Sequence, residues 1–153
     1  MSVHIARTKD ERNGYAGRMT VGFLTHPLGE RDADWGSARG NNLANAMLWF
    51  RFLKDATRWA ICFPAMAYIA AVDDIWHRPS MITDAVEIME RCDVLIVVGD
   101  HISPHMRIEI AHARGMTKPI PVIDLIDLGS SPPFMKTDET ASEIRRRAAA
   151  LGL

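Results

Sequence analysis

Residues 94–98, Val-Leu-Ile-Val-Val, form an unbroken apolar run between Cys92-Asp93 and Gly99. Five residues are too few for a helix, and the lack of alternation means that both faces need cover, as in a parallel strand flanked by helices. A chain built around such a strand must carry crossover segments, usually helices, to join its strands. The next stretch supplies one. Ser103-Pro104 is a helix start, because a serine hydroxyl accepts from a free backbone N–H and proline needs no donor at the first helical position. Met106, Ile110 and Ala113 then share one helical stripe, and Gly115 supplies the stop. Pro119 and Pro121 bracket the start of a further strand over 119–125, which predicts an irregular, edge-like beginning.

The same alternation recurs upstream. Residues 20–25 read as a first strand ending at His26-Pro27, and 28–36 as a polar loop with Glu30, Arg31, Asp32 and Asp34. Ser37 opens a long helix in which Leu43, Met47, Phe50 and Leu53 make the core-facing stripe, with Ala46 and Thr57 beside it. Trp49 falls off that stripe and is assigned to a subunit contact. Residues 59–63 form a second strand stopped by Pro64, a short helix follows over 65–72, and Asp73, Asp74, Trp76, His77 and Arg78 occupy a connecting loop. Ser80 caps a helix that buries Ile82, Ala85, Val86 and Met89. After a linker around 129–133, the capping box Thr140-Ala-Ser-Glu143 opens a final helix docked by Ile144, Ala148 and Leu151, with Arg145, Arg146 and Arg147 solvated. This order predicts an α/β, flavodoxin-like three-layer domain with a mainly parallel sheet of four or five strands. Residues 1–18 are expected to be a mobile arm, and 19–153 a single domain.

Composition narrows the partners. The net charge of −1 leaves no electrostatic footprint for nucleic acid or an anionic membrane, so the expected partner is a small molecule or another copy of the chain. Cys62 and Cys92 sit on or beside strand-like runs, as suits reduced core thiols, and neither a signal peptide nor a spanning apolar run is visible, so a cytoplasmic protein is expected. Walker A, dinucleotide-glycine and Gly-x-Ser-x-Gly patterns are missing. His105 and His112 stand two turns apart on their helix, about 10 Å and too far for one ion. Asp73, Asp74 and His77 have no second ligand cluster beside them, so neither metal nor cofactor is expected.

Glu109 remains. It falls on the second turn of a helix that begins at the carboxyl end of a buried strand, the address at which open parallel sheets bind ligands. His105 and Met106 lie one turn before it, and His112 and Ala113 one turn after. The nearby helix N-terminus is expected to favour its ionised form, and a charged carboxylate beside an apolar stripe can serve as a nucleophile. Asp100, past the end of the strand, is the candidate second acid, able to protonate or hold a leaving group if its neighbours raise its pKa. Asp93 reads as a turn or capping residue. At the start of the first long helix, Arg39, Asn41 and Asn42 point toward the strand ends, where an arginine would suit a phosphate and an asparagine sugar hydroxyls. Tyr68 is placed to stack on a base, and Ser103 to cap or to bind an anion.

The sequence Asp-Val-Leu-Ile-Val-Val, followed by Ser-x-x-Met-x-x-Glu-Ile-Ala-x-Ala-x-x-x-x-Lys-Pro-Ile, resembles the nucleoside 2-deoxyribosyltransferase-like superfamily, including its nucleotide N-glycosidase branch. The likeness is strong over 83–124 and weaker over 21–65. It implies the flavodoxin-like fold, a Glu109 that attacks the anomeric carbon, an Asp84 that contacts the nucleoside or that carboxylate, and substrate contacts from Ser103, His105 and Met106. It also implies that the loop after the first strand frames base and sugar, and that sites are completed in a homodimer or larger assembly. The family usually has glycine where this chain has His105. The expected activity is cleavage of the N-glycosidic bond of a nucleoside or its 5′-monophosphate, by hydrolysis or base exchange. A non-catalytic nucleotide-binding module and an NAD-type N-glycoside hydrolase are the alternatives.

Overall fold

The computed structural model describes residues 18–27, 37–65, 78–128 and 138–153, without the side chains of 37–41 and 78–81. Tyr68, the 28–36 loop, the 129–133 linker, the Asp73-Asp74-His77 group and the 1–17 part of the arm therefore lie outside the described residues, as does the side chain of Arg39.

Four strands, β1 (Val21–Thr25), β2 (Ala60–Cys62), β3 (Val94–Val97) and β4 (Val122–Asp124), form one parallel sheet in the order β2-β1-β3-β4. Phe23 stands opposite both Cys62 and Leu95, and Ile96 opposite Ile123. β3 is the inner strand that its composition predicts, with 94–98 fully buried. Its side chains alternate between two cores. Val94, Ile96 and Val98 pack with Leu24, Ile123 and residues of helices α1 (Ser37–Thr57) and α4 (Asp138–Ala150). Leu95 and Val97 pack with Phe23 and residues of α2 (Arg78–Met89) and α3 (Pro104–Gly115). A three-layer α/β domain results, with the sheet covered on both sides. β4 is an edge strand, shorter than the predicted 119–125 run, and of the prolines before it Pro121 joins the ladder through its carbonyl, which accepts the Leu95 N–H at 3.0 Å.

The helix faces required two corrections. In α1 the buried seam is Ala46, Trp49, Leu53 and Ala56, while Met47 is 52% exposed. Leu43 and Phe50 of the expected stripe pack half-buried against the same core, so the stripe is shifted toward the indole and Met47 alone leaves it. Burying a tryptophan removes about 150–250 Å², roughly 4–6 kcal/mol as an upper bound, more than a flexible methionine returns. Trp49 therefore packs inside the subunit, edge-on to Phe52 at 6.1 Å between ring centroids, and is not available to a partner.

Helix α4 starts at Asp138, two residues before the expected cap, so Thr140 sits in its first turn. Glu143 turns forward instead of back. Its carboxylate accepts from Arg146 Nε and Nη2 at 2.8 and 2.7 Å and from Arg147 Nε at 2.8 Å. Arg147 also grips both oxygens of Asp127 at 2.8 and 2.6 Å and the Asp124 carbonyl at 2.8 Å, and Arg145 donates to the Ala56 carbonyl at 3.1 Å. Arg145 and Arg146 are exposed as expected, but Arg145 also ties α4 to the end of α1, and Arg147, half-buried, ties it to β4 and the 3-10 turn after it. The apolar docking stripe is Ala141, Ile144 and Ala148, with Leu151 42% exposed.

The remaining helix starts and turns are simpler. α2 begins two residues before Ser80. Asp93 acts as a turn residue, accepting the Val21 N–H at 2.8 Å and pairing with Arg18 at 2.8 Å. Cys62 and Cys92 are free, and burial pushes the Cys92 thiol up to about 12. Among the described residues no helix is long and apolar enough to cross a membrane.

Candidate functional site

From β1 the chain crosses to β2 on one side, and from β3 it crosses to β4 on the other. The seam between β1 and β3 is therefore the switch point of the sheet, and the crevice outside its carboxyl ends is the preferred ligand position. Thr25, His26 and Pro27 reach it from β1, and Gly99, Asp100 and His101 from β3. Gly99 lets the two segments meet. Its φ is +118°, and a Cβ there would lie 2.5 Å from Pro27 Cδ. A larger residue would force the two strand ends apart.

Glu109 enters this crevice from the second turn of α3. It is buried, 8% exposed, and Thr25 Oγ1 donates a hydrogen bond to its Oε2 although the residues are 84 positions apart. Among the described residues neither arginine nor lysine neutralises it. Burial pushes the carboxyl up to about 7, with the Thr25 hydrogen bond acting in the opposite direction. The expectation of a carboxylate held ionised by the helix N-terminus is corrected: the dipole acts mainly within the first turn, and Glu109 lies beyond it. Among the described residues His112 Nε2 is the one buried side-chain polar atom without a hydrogen-bond partner. His112 itself lies at the far end of α3, 3.4 Å from Glu90 Oε1.

The helix start has a definite arrangement. Ser103 is the N-cap, its Oγ lies 2.9 Å from His105 Nδ1, and its backbone N–H points at Met106 Sδ at 3.4 Å. The Ser103 hydroxyl is thus joined to His105. Met106 is fully buried with Phe23, Met89 and Leu95, so it supports the start of α3 from the core and offers no surface to a ligand.

The two aspartates are both exposed. Asp100 lies at the crevice, but its Oδ1 is 2.7 Å from His101 Nδ1, and that bond holds its carboxyl below the ordinary range. The second acid is therefore ionised at neutral pH and is no proton donor. Asp84 lies on α2, solvent-facing, and among the described residues it has no hydrogen bond or ion pair with Glu109. Asn42 is half-buried near the start of α1, on the carboxyl side of the sheet, where a helix following β1 must begin.

Two residues of the crevice were not singled out from sequence. Thr25 is the direct partner of Glu109. His26, 4% exposed, has Nδ1 at 2.7 Å from the Pro27 carbonyl. A carbonyl only accepts, so Nδ1 carries the hydrogen and the neutral ring presents Nε2 as an acceptor. Burial keeps its pKa low, which holds it in that form. The signal for both was position: polar residues at the carboxyl end of a strand beside the switch point.

Among the described residues no three histidine, cysteine or acidic side chains converge as a metal site would require. The crevice offers instead a buried carboxylate of near-neutral pKa, a hydroxyl donor fixed on it, a histidine acceptor and an ionised aspartate. A scan against protein-family models, a search of curated proteins and a search of solved structures each return no match for this chain.

Proposed function

We propose that this chain cleaves the N-glycosidic bond of a nucleoside or nucleoside 5′-monophosphate, with Glu109 as nucleophile. The observation that carries the reading is the Glu109 carboxylate, buried at the switch point of a parallel sheet, hydrogen-bonded by Thr25 and, among the described residues, without a cation. A carboxylate that only stabilised the fold would be paired or solvated. The α3 motif it belongs to, with its resemblance to deoxyribosyltransferase-like enzymes, supplies the substrate class.

In the ionised form, Oε1 attacks C1′ as the C1′–N bond breaks, and the base leaves with the bonding pair and takes a proton from solvent. The glycosyl ester is then opened by water, which yields the free sugar, or by a second base, which yields exchange. The carboxylate acts as in a retaining glycosidase. Asp100, ionised, and His26, with Nε2 as acceptor, are suited to sugar hydroxyls. The same reading carries a cytoplasmic location and an assembly of two or more copies.

The test is chromatography for free base after incubating the wild type and Glu109→Gln with a panel of nucleosides, monophosphates and NAD. The wild type releases base, and the variant loses at least ~10³-fold in rate, as expected when a nucleophile is removed. Base released from NAD alone reassigns the substrate, and nucleotide binding without any release leaves a binding module.

A further inference from the structure

Resting on that reading, we propose that Thr25 is the positioning residue of the nucleophile: its hydroxyl holds Oε2 of Glu109, so that Oε1 attacks, and it draws the carboxylate away from the sugar when the glycosyl ester opens. The two groups come from different elements. Thr25 is the last residue of β1, and its Cα stands opposite Val97 in the sheet; Glu109 arrives from α3, beyond the crossover loop. Thr25 is 2% exposed, so its hydroxyl has been removed from water, and its identified hydrogen-bond acceptor is the carboxylate. A buried donor aimed at one oxygen restricts rotation of the carboxylate and distinguishes its two oxygens.

The chemistry makes the contact unequal along the reaction. In the free enzyme Oε2 shares the negative charge and accepts strongly. In the glycosyl ester, C1′–Oε1 is formed, Oε2 is a neutral carbonyl oxygen, and the same bond is weaker. When water adds to C1′ and C1′–Oε1 breaks, the electron pair returns to the carboxylate, the water's proton passes to solvent, and the Thr25 bond regains its strength. The hydroxyl thus assists departure of the carboxylate more than its attack. Without it, Glu109 is a more basic nucleophile and a poorer leaving group.

The experiment compares wild type, Thr25→Ser, Thr25→Val and Thr25→Ala, with folding checked by thermal melting. Two readouts are taken: base release by rapid quench and the titration of the Glu109 carboxyl by carbon-13 NMR. In the valine and alanine variants the Glu109 midpoint moves upward and steady-state turnover falls by about 10- to 100-fold, the usual worth of a hydrogen bond to a charged group. At pH above the new midpoint these variants give a burst of base equal to the enzyme present, then slow turnover, and intact mass shows the bound sugar. Serine restores both readouts. A wild type that releases base while valine and alanine change neither readout overturns the Thr25 role alone, as does a loss that serine fails to restore. Failure of the wild type to release any base overturns the glycosidase reading and this role together.

Discussion

Two glutamates on two helices receive opposite treatment. Glu143 on α4 is gripped by Arg146 and Arg147, which hold its carboxyl down at about 2. Glu109 on α3 is buried, meets one neutral hydroxyl and is pushed up to about 7. The first arrangement makes the charge comfortable and locks α4 to the sheet edge through Asp127 and the Asp124 carbonyl. The second leaves a charge that the fold disfavours. Glu143 is satisfied by cations, whereas among the described residues Glu109 meets none, the condition in which carboxyl groups with perturbed pKa values are found at functional sites.

Linkage turns this contrast into opposite pH dependences. A raised folded pKa means that the native state binds the Glu109 proton more tightly than the unfolded chain, so stability falls as pH rises from about 4.5 to about 7. Glu143 has the reverse sign: its contribution is present above about 4.5 and is lost as pH falls toward 2. The largest expected effect is on Glu109→Gln, which keeps an acceptor for Thr25 and cannot ionise. Relative to wild type it gains up to about 3 kcal/mol between pH 4.5 and 8, measured by urea unfolding across that range. An unchanged pH slope would remove the contrast at its root.

Activity sharpens the same comparison. If the ionised form attacks, kcat/KM for base release rises about tenfold per pH unit below 7 and levels above it. A profile that falls through this range would make Glu109 an acid instead of a nucleophile. A smaller effect is expected at the other end of the comparison. Arg147→Ala removes the clamp on Asp127, Glu143 and the Asp124 carbonyl and costs about 1 kcal/mol, after allowance for solvent at this partly exposed site, in the same urea assay. Glu143→Gln is smaller still at neutral pH. It leaves the slope between pH 4.5 and 7 as in wild type and flattens the acid limb of the thermal midpoint.

The strand and helix over residues 94–115 were legible in the sequence because their signals are local. An unbroken β-branched run, a Ser-Pro helix start and a stripe at helical spacing are each decided by a few neighbouring residues, and they placed Glu109 on the second turn of α3 at the carboxyl end of β3. Helix α1 was less legible. Leu43, Phe50 and Leu53 do meet the core as their spacing predicts, but the centre of the buried face falls on Ala46, Trp49 and Leu53 and Met47 is turned out, a shift that depends on what lies across the layer. The cap at Thr140 failed for a local reason, since the helix begins at Asp138 and Glu143 pairs with Arg146 and Arg147, three and four residues on.

Sequence alone determined the alternation of strands and helices, the buried central strand and the address of the acid, because periodicity and capping act over one or two turns. Tertiary structure decided the state of that acid. The Thr25 hydroxyl and the burial that raises the Glu109 pKa follow from how β1, β3 and α3 pack at the carboxyl end of the sheet. Desolvation and hydrogen bonding depend on what surrounds a group in space, and a one-dimensional pattern carries that only where the neighbours in space are also neighbours in the chain.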